Sequence, residues 1–149
     1  ILNCYNTEWH SFAEMSAEIN QLKEPNKFFQ KELASALNRW VSGEFDHEYK
    51  ESWLQFKTRC IRALQGVIEQ EQTNIKRSKD ILVFTSGGTI AAIIQHILQL
   101  NDEQALKINQ QVRNTSVSKL LFSGKNLSVD YFNNYSHLTL AGSDWATFR

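Results

Sequence analysis

The residues from 81 to 94 constrain the fold of this chain more than any other segment. Five consecutive β-favouring residues, Ile81-Leu82-Val83-Phe84-Thr85, are followed directly by Ser86-Gly87-Gly88 and then by an apolar helical pattern. A strand that ends in a glycine turn and opens a helix leaves free backbone N–H groups at the carboxyl end of a sheet. The segment therefore predicts an α/β fold with an anion-binding turn at residues 86–88.

The composition is that of an ordinary globular protein. The chain has 149 residues, of which 42% are hydrophobic and 21% are charged, enough for one domain with a hydrophobic core. Because the formal net charge is zero, bulk electrostatics favour neither nucleic acid nor a membrane as a partner. No internal repeat or linker is visible, and we expect a single domain over residues 1–149.

The two cysteines, Cys4 and Cys60, form no CxxC pair and indicate no disulfide framework. They are typical of reduced thiols, and with no apolar run of membrane-span length and no signal peptide they predict a cytoplasmic protein. Nothing in the sequence indicates a metal or another cofactor, so we expect none.

Helical spacing of apolar residues predicts two helices before this segment. The first covers residues 28–41 and is expected to stop at Gly43. The second is predicted to begin with Asp46 as its cap and to run to about residue 72. Its apolar face comprises Trp53, Phe56, Cys60, Leu64 and Val67. The aromatic residues Trp40, Trp53 and Phe56 are interpreted as core.

The second half of the chain predicts a β-hairpin. Residues 116–122 have the pattern of a strand, residues 123–126 form a turn, and Leu127, Val129 and Tyr131 then alternate as in an antiparallel partner.

Three segments, taken in their order along the chain, resemble the C-terminal half of the histidine phosphatase superfamily, the phosphoglycerate mutase-like proteins. In that family a strand ends in Ser-His-Gly-Gly-Val-Ile before a helix, an Asn precedes a later strand, and a further Asn precedes a His-Leu pair. The counterparts here are Thr85-Ser86-Gly87-Gly88-Thr89-Ile90, then Asn114, then Asn133 or Asn134 with His137-Leu138. The helix that contains Arg59 also looks like the family helix that carries an Arg before this strand.

The resemblance implies a mainly parallel sheet flanked by helices on both faces. The family's first strand, which ends in Arg-His-Gly, has no counterpart in this sequence. We therefore expect a domain truncated at its N-terminus, whose neighbouring strands would have unpaired edges. Either a longer natural protein or strand exchange in a homodimer would supply the missing partner.

The resemblance also implies a phosphatase that acts on a phosphomonoester through a phosphohistidine. The ligand would be a phosphorylated small molecule or a phosphoprotein. Ser86 stands where the family has its second catalytic histidine, and it is the candidate catalytic residue. Ser86, Gly87, Gly88 and Asn114 are the candidate phosphate-binding residues. Since the nucleophile is absent, we expect the chain alone to be inactive.

The general acid of the family is a Glu, and on this alignment Ser11 takes its position. Glu8 and His10 lie close by in sequence and are the remaining candidates.

Other interpretations of these residues stay open. Ser86-Gly87-Gly88 can be a tight turn without a ligand, and Asn114 and His137 can be ordinary turn and loop residues. The domain can also be a non-catalytic phosphate-binding or protein-interaction module. A serine hydrolase would use Ser86 with Asp130 and His137, but Phe84 stands where a nucleophile elbow needs a small residue.

Overall fold

The computed structural model describes residues 1–72, 79–124, 126–145 and 147. The described residues form an α/β protein with seven α-helices, one two-stranded sheet and two 3₁₀ turns. The helices are α1 (Leu2–Tyr5), α2 (Phe12–Ile19), α3 (Pro25–Ser42), α4 (Trp53–Gln72), α5 (Gly87–Leu98), α6 (Asp102–Gln111) and α7 (Ser136–Ala141). The strands are β1 (Val117–Ser123) and β2 (Asn126–Asn134), and the 3₁₀ turns are Asp46–Glu48 and Ser143–Trp145.

The chain divides into two compact units, Ile1–Phe56 and Lys57–Arg149, with the boundary inside α4. None of the described helices is both long enough and apolar enough to cross a membrane.

The first unit has a small core beneath its N-terminal helices. Trp9, Met15 and Ile19 are buried together, and Leu2 and Phe29 pack against them. The indole Nε1 of Trp9 donates to Glu18 Oε2 at 2.9 Å, so the ring is buried without leaving its polar atom unpaired.

Helix α3 confirms the predicted stop at Gly43. Pro25 occupies the first turn, where its missing N–H costs nothing, so the helix begins three residues before the predicted start. Gly43 follows with φ of +76°, the left-handed conformation that ends many helices and that glycine adopts without strain.

The predicted aromatic core is also confirmed. The rings of Trp40, Trp53 and Phe56 contact one another with centroid separations of 5.1, 5.5 and 5.7 Å. Trp40 Nε1 donates to the carbonyl oxygen of Glu51 at 2.9 Å, which fixes the indole against the start of α4.

The predicted cap of α4 was wrong. Asp46 lies in a separate 3₁₀ turn, and α4 begins at Trp53. Ser52 caps it, because Ser52 Oγ accepts from the Gln55 backbone N–H at 3.2 Å and Gln55 Oε1 accepts from the Ser52 N–H at 2.8 Å. This reciprocal pair satisfies two backbone donors at once, which a lone Asp46 further upstream cannot do.

The second unit is built on the packing of α5 against α6. The two helices carry buried small and branched residues: Ala91, Ala92, Ile94, Ala105 and Leu106. The alanines let the two helices approach closely. A capping box between Asn101 and Gln104 fixes the start of α6.

A polar cluster ties three helices of this unit together. Asp102 Oδ1 accepts from Lys57 Nζ and from Gln95 Nε2, each at 2.7 Å. Gln95 is buried and also donates to the carbonyl oxygen of Leu100 at 3.2 Å. Lys57, Gln95 and Asp102 thereby connect α4, α5 and the first turn of α6.

The predicted β-hairpin is confirmed. β1 and β2 pair antiparallel, with Leu120 opposite Val129 and Phe122 opposite Leu127. Burial alternates along β1, which leaves one face packed and the other in solvent, as the alternating sequence predicted.

The mainly parallel sheet that the family resemblance implies, and the strand predicted at residues 81–85, are not seen among the described residues. The sheet formed by the described residues contains β1 and β2 only, and residues 79–86 have no regular secondary structure. Leu82 is 83% exposed and Phe84 is 94% exposed. A β-strand exists only when a neighbour takes up its backbone N–H and C=O groups, and no described strand lies beside residues 81–85 to do so.

Candidate functional site

The turn before α5 has the form expected of an anion site. Ser86 is the N-cap residue, with φ of −94° and ψ of 161°, but its hydroxyl does not cap the helix. Its Oγ lies instead 3.4 Å from Thr89 Oγ1. No acidic residue lies in the first turn of α5. The first-turn N–H groups have no intrahelical acceptor, and the helix dipole makes this end attractive to an anion.

Asn109 of α6 and Val112, the residue that follows α6, pack against Gly87. Gly87 is buried, and a Cβ atom placed there would lie 3.4 Å from Asn109 Oδ1 and 3.4 Å from the Val112 side chain. The end of α6 therefore forms one wall beside the turn. Any side chain larger than a methyl group would displace this wall.

The sequence did not single out Asn109, whose carboxamide lies beside the turn. Its Oδ1 atom is inaccessible to solvent and has no hydrogen-bond partner among the described residues. A buried acceptor without a donor is costly, so this oxygen is an unsatisfied polar atom beside the turn. No sequence signal marks it, because Asn on a helix is usually a solvent-facing residue.

Asn114 lies two residues after Val112 and is bound to the C-terminal tail. Its backbone N–H donates to the carbonyl oxygen of Thr147 at 3.1 Å, and its Nδ2 donates to Thr147 Oγ1 at 2.9 Å. The neighbouring Arg113 guanidinium stacks over the Tyr135 ring at 4.5 Å. The proposed role of Asn114 in phosphate binding stays a prediction.

Asn133 holds the segment between α6 and β1. Its Nδ2 donates to the Gln111 carbonyl oxygen at 2.7 Å, and its Oδ1 accepts from the Arg113 N–H at 2.9 Å. Its own N–H donates to Ser118 Oγ at 3.0 Å. Asn133 adopts φ of +55°, which Asn tolerates better than most residues. The side chain thus fixes Val112, which packs on Gly87, by bonding both of its chain neighbours.

The predicted general-acid candidates lie in the first unit. The Ser11 hydroxyl accepts from the Glu14 backbone N–H at 3.2 Å and so serves as the N-cap of α2. The backbone N–H of Glu8 donates to Asn6 Oδ1, and the carbonyl oxygen of His10 accepts from Asn3 Nδ2.

Asp130 and His137 of the serine-hydrolase alternative occupy the exposed part of the second unit. Asp130 forms an ion pair with Lys119 at 3.0 Å, and this hydrogen bond raises the pKa of Lys119 above its usual value. His137 is exposed on α7. Asp130 is therefore paired across the hairpin with a cation rather than with a histidine.

Within the described part of the chain, no group of three or more His, Cys, Asp or Glu side chains is placed to hold a metal ion. The polar groups at the turn are the first-turn backbone N–H groups of α5, the Ser86 hydroxyl and the Asn109 carboxamide.

One of the comparisons with known proteins gives a match. A family model described as histidine phosphatase superfamily (branch 1) matches residues 6–135, which is most of the chain. Neither the curated proteins nor the solved structures give a match. On the strength of that match, which includes the Ser86-Gly87-Gly88 turn and both Asn114 and Asn133, the chain belongs to the histidine phosphatase superfamily.

Proposed function

We propose that this chain binds a phosphorylated ligand at the N-terminus of α5, through Ser86, Gly87 and Gly88. One observation carries the proposal: α5 starts without an acidic residue and without a side-chain cap, so its first-turn donors are available to an anion. Membership of the superfamily supports a phosphatase-like or mutase-like function at a coarser level.

Phosphoryl transfer through a phosphohistidine needs more than this turn provides. It needs an imidazole nucleophile, donors for the equatorial oxygens and an acid for the leaving oxygen. The turn supplies donors. Ser86 offers a neutral hydroxyl in place of an imidazolium, and by analogy with the deletion of a single oxyanion donor this costs about 3 kcal/mol of transition-state stabilisation.

Arg-His-Gly, the motif of the family's nucleophile, does not occur in the 149 residues. We therefore assign phosphomonoester binding to these residues, with Asn114 as a further ligand contact. Transfer through a phosphohistidine belongs to a polypeptide that also carries the Arg-His-Gly histidine. By itself this chain is a phosphate-binding module, and its affinity for inorganic phosphate is expected in the millimolar to micromolar range.

The first test places a carboxylate at the turn. Ser86→Asp is expected to stabilise α5, because Asp is a good N-cap, and to repel phosphate from the same N–H groups. The measurement is the rise in melting temperature with added inorganic phosphate, together with calorimetric titration. Wild type should show the rise, and Ser86→Asp should lose most of it.

The matched control is Asn101→Asp, which puts the same charge at the N-cap of α6 and should keep the response to phosphate. If both variants, or neither, lose the phosphate response, the α5 turn is not the binding site.

A second measurement separates binding from catalysis. Hydrolysis of p-nitrophenyl phosphate by the chain is expected to stay at the background rate. A rate well above background that falls in Ser86→Ala would show that Ser86 is catalytic and would refute the binding-only proposal.

A further inference from the structure

Residues 81–85 are an uncharged apolar segment that is poorly covered by the described part of the chain. Leu82, Val83 and Phe84 are 83%, 61% and 94% exposed, and Phe84 has the highest exposed fraction among the large hydrophobic residues that the structure describes. Three consecutive exposed apolar residues are rare on a monomeric surface, since they leave both side-chain faces in water. The sequence has high β-propensity and no proline, which favours pairing with another strand.

We propose that this segment pairs antiparallel with the same segment of a second copy, which gives a two-fold homodimer centred on Val83. In this register Val83 lies opposite Val83 of the other copy, Leu82 lies opposite Phe84, and Asp80 lies opposite Ser86. The proposal does not depend on phosphate binding.

Side-chain chemistry favours this register. Leu82 and Phe84 point to one face of an extended segment, and the pairing brings two leucines and two phenylalanines together on that face. Cross-strand aromatic–aliphatic pairs of this kind stabilise antiparallel sheets. The backbone groups of residues 81–85 would at the same time obtain the partners that they lack in the described chain.

Charge complementarity favours a second copy over an unrelated strand. The N-terminus of α5 has no acidic residue in its first turn and no side-chain cap. Asp80 is exposed and precedes the apolar segment. In the proposed register the Asp80 carboxylate of each copy reaches the positive end of the other copy's α5, where an anion is favoured. Each protomer thus places an Asp80 carboxylate at the N-terminus of α5 in the other protomer, which has no acidic residue in its own first turn.

Symmetry also favours the antiparallel arrangement. An antiparallel pair about Val83 is isologous and closes after two copies. A parallel arrangement would join opposite edges of the segment, a heterologous contact that can continue without closing and produce fibres rather than a defined assembly.

The test is the molar mass of the 149-residue chain, measured by light scattering after size exclusion over a range of micromolar concentrations. Wild type is expected to have twice the 17.2 kDa chain mass. Val83→Lys sets two like charges directly opposite each other and is expected to give a monomer with an unchanged circular dichroism spectrum.

Leu140→Lys is the matched control, because it changes another exposed apolar residue, 89% exposed on α7 against 61% for Val83, and should leave the dimer intact. A monomeric wild type, an open series of larger species, or a dimer that persists in Val83→Lys would overturn the proposal. A monomeric wild type would also mean that this segment pairs with a different strand, either from another protein or from elsewhere in its own chain.

Cysteine cross-linking tests the register independently of stability. Directly opposed residues of an antiparallel pair have Cα atoms about 5 Å apart, within disulfide range. Val83→Cys in a Cys4→Ser background should therefore form a disulfide across the two-fold axis, while Cys60 is buried and unreactive.

Thr85 lies on the same face of the segment as Val83, but the Thr85 Cα atoms of the two copies would be about 13 Å apart. Thr85→Cys should therefore not cross-link. Equal cross-linking of the two variants would refute the proposed register.

Discussion

Gly87 is fixed by the side chains around it rather than by an unusual backbone angle. Its would-be Cβ lies at contact distance, 3.4 Å, from Asn109 and Val112. Gly87→Ala should therefore fit with little change in the free energy of unfolding. Gly87→Val overpacks the site and is expected to destabilise by about 1–3 kcal/mol. Urea denaturation of the two variants checks this, and equal stability would show that α6 does not pack closely on the turn.

Asn133 stabilises the segment between α6 and β1 through its side-chain hydrogen bonds, and it adopts a positive φ. Asn133→Gly keeps the positive φ but removes two side-chain hydrogen bonds, which should cost about 1–3 kcal/mol. Asn133→Ala should cost about 1 kcal/mol more, because alanine is strained in the left-handed region.

Chemical denaturation gives both values, and the difference between the two variants isolates the backbone contribution. If Asn133→Ala is as stable as wild type, the side chain does not hold the segment between α6 and β1.

At the scale of elements, the polar cluster of Lys57, Gln95 and Asp102 joins α4, α5 and α6. Lys57 is 19% exposed and Asp102 is 40% exposed at the side chain, so solvent screens part of their attraction. We expect a coupling energy of about 1 kcal/mol between them. A double-mutant cycle with Lys57→Met and Asp102→Asn, followed by thermal unfolding, measures it.

The exposed pair Lys107 and Glu103 on α6 is the matched comparison for this cycle, because both of its members are mostly in solvent. Its coupling should be smaller. A cycle that finds the Lys107–Glu103 coupling equal to or larger than that of Lys57 and Asp102 would show that the cluster does not hold the helices together.

At the scale of the whole molecule, phosphate binding and dimerisation are both proposed to use the N-terminus of α5. The N-terminus of α5 is the proposed site for phosphate, and it is also where the Asp80 carboxylate of a second copy would lie. Both ligands are anions that use the same donors. Dimerisation and phosphate binding are therefore expected to oppose each other, although each can be tested without the other.

The zero net charge of the chain also matters at this scale. Without a net charge to keep copies apart, the exposed apolar segment at residues 81–85 has little electrostatic opposition to pairing.

The expectation of a single domain stays a prediction beside the two compact units of the structure. The cytoplasmic location and the choice of a phosphorylated ligand also stay predictions.

Local patterns in the sequence determined most of the elements. The helix that ends at Gly43, the aromatic core of Trp40, Trp53 and Phe56, and the hairpin of β1 and β2 were all predictable, because each depends on residues close in sequence or on a simple periodicity. The glycine turn before α5 was predictable for the same reason, and it carried the family resemblance.

Contacts between distant residues were decided by the tertiary structure alone. The approach of Asn109 to Gly87, the bonds from Asn133 to Gln111 and Arg113, and the link between Lys57 and Asp102 leave no periodic signal in the chain. The same holds for residues 81–85. Their sequence gives them the propensity of a strand, but a strand forms only beside a partner, and whether a partner is present is a property of the assembled molecule.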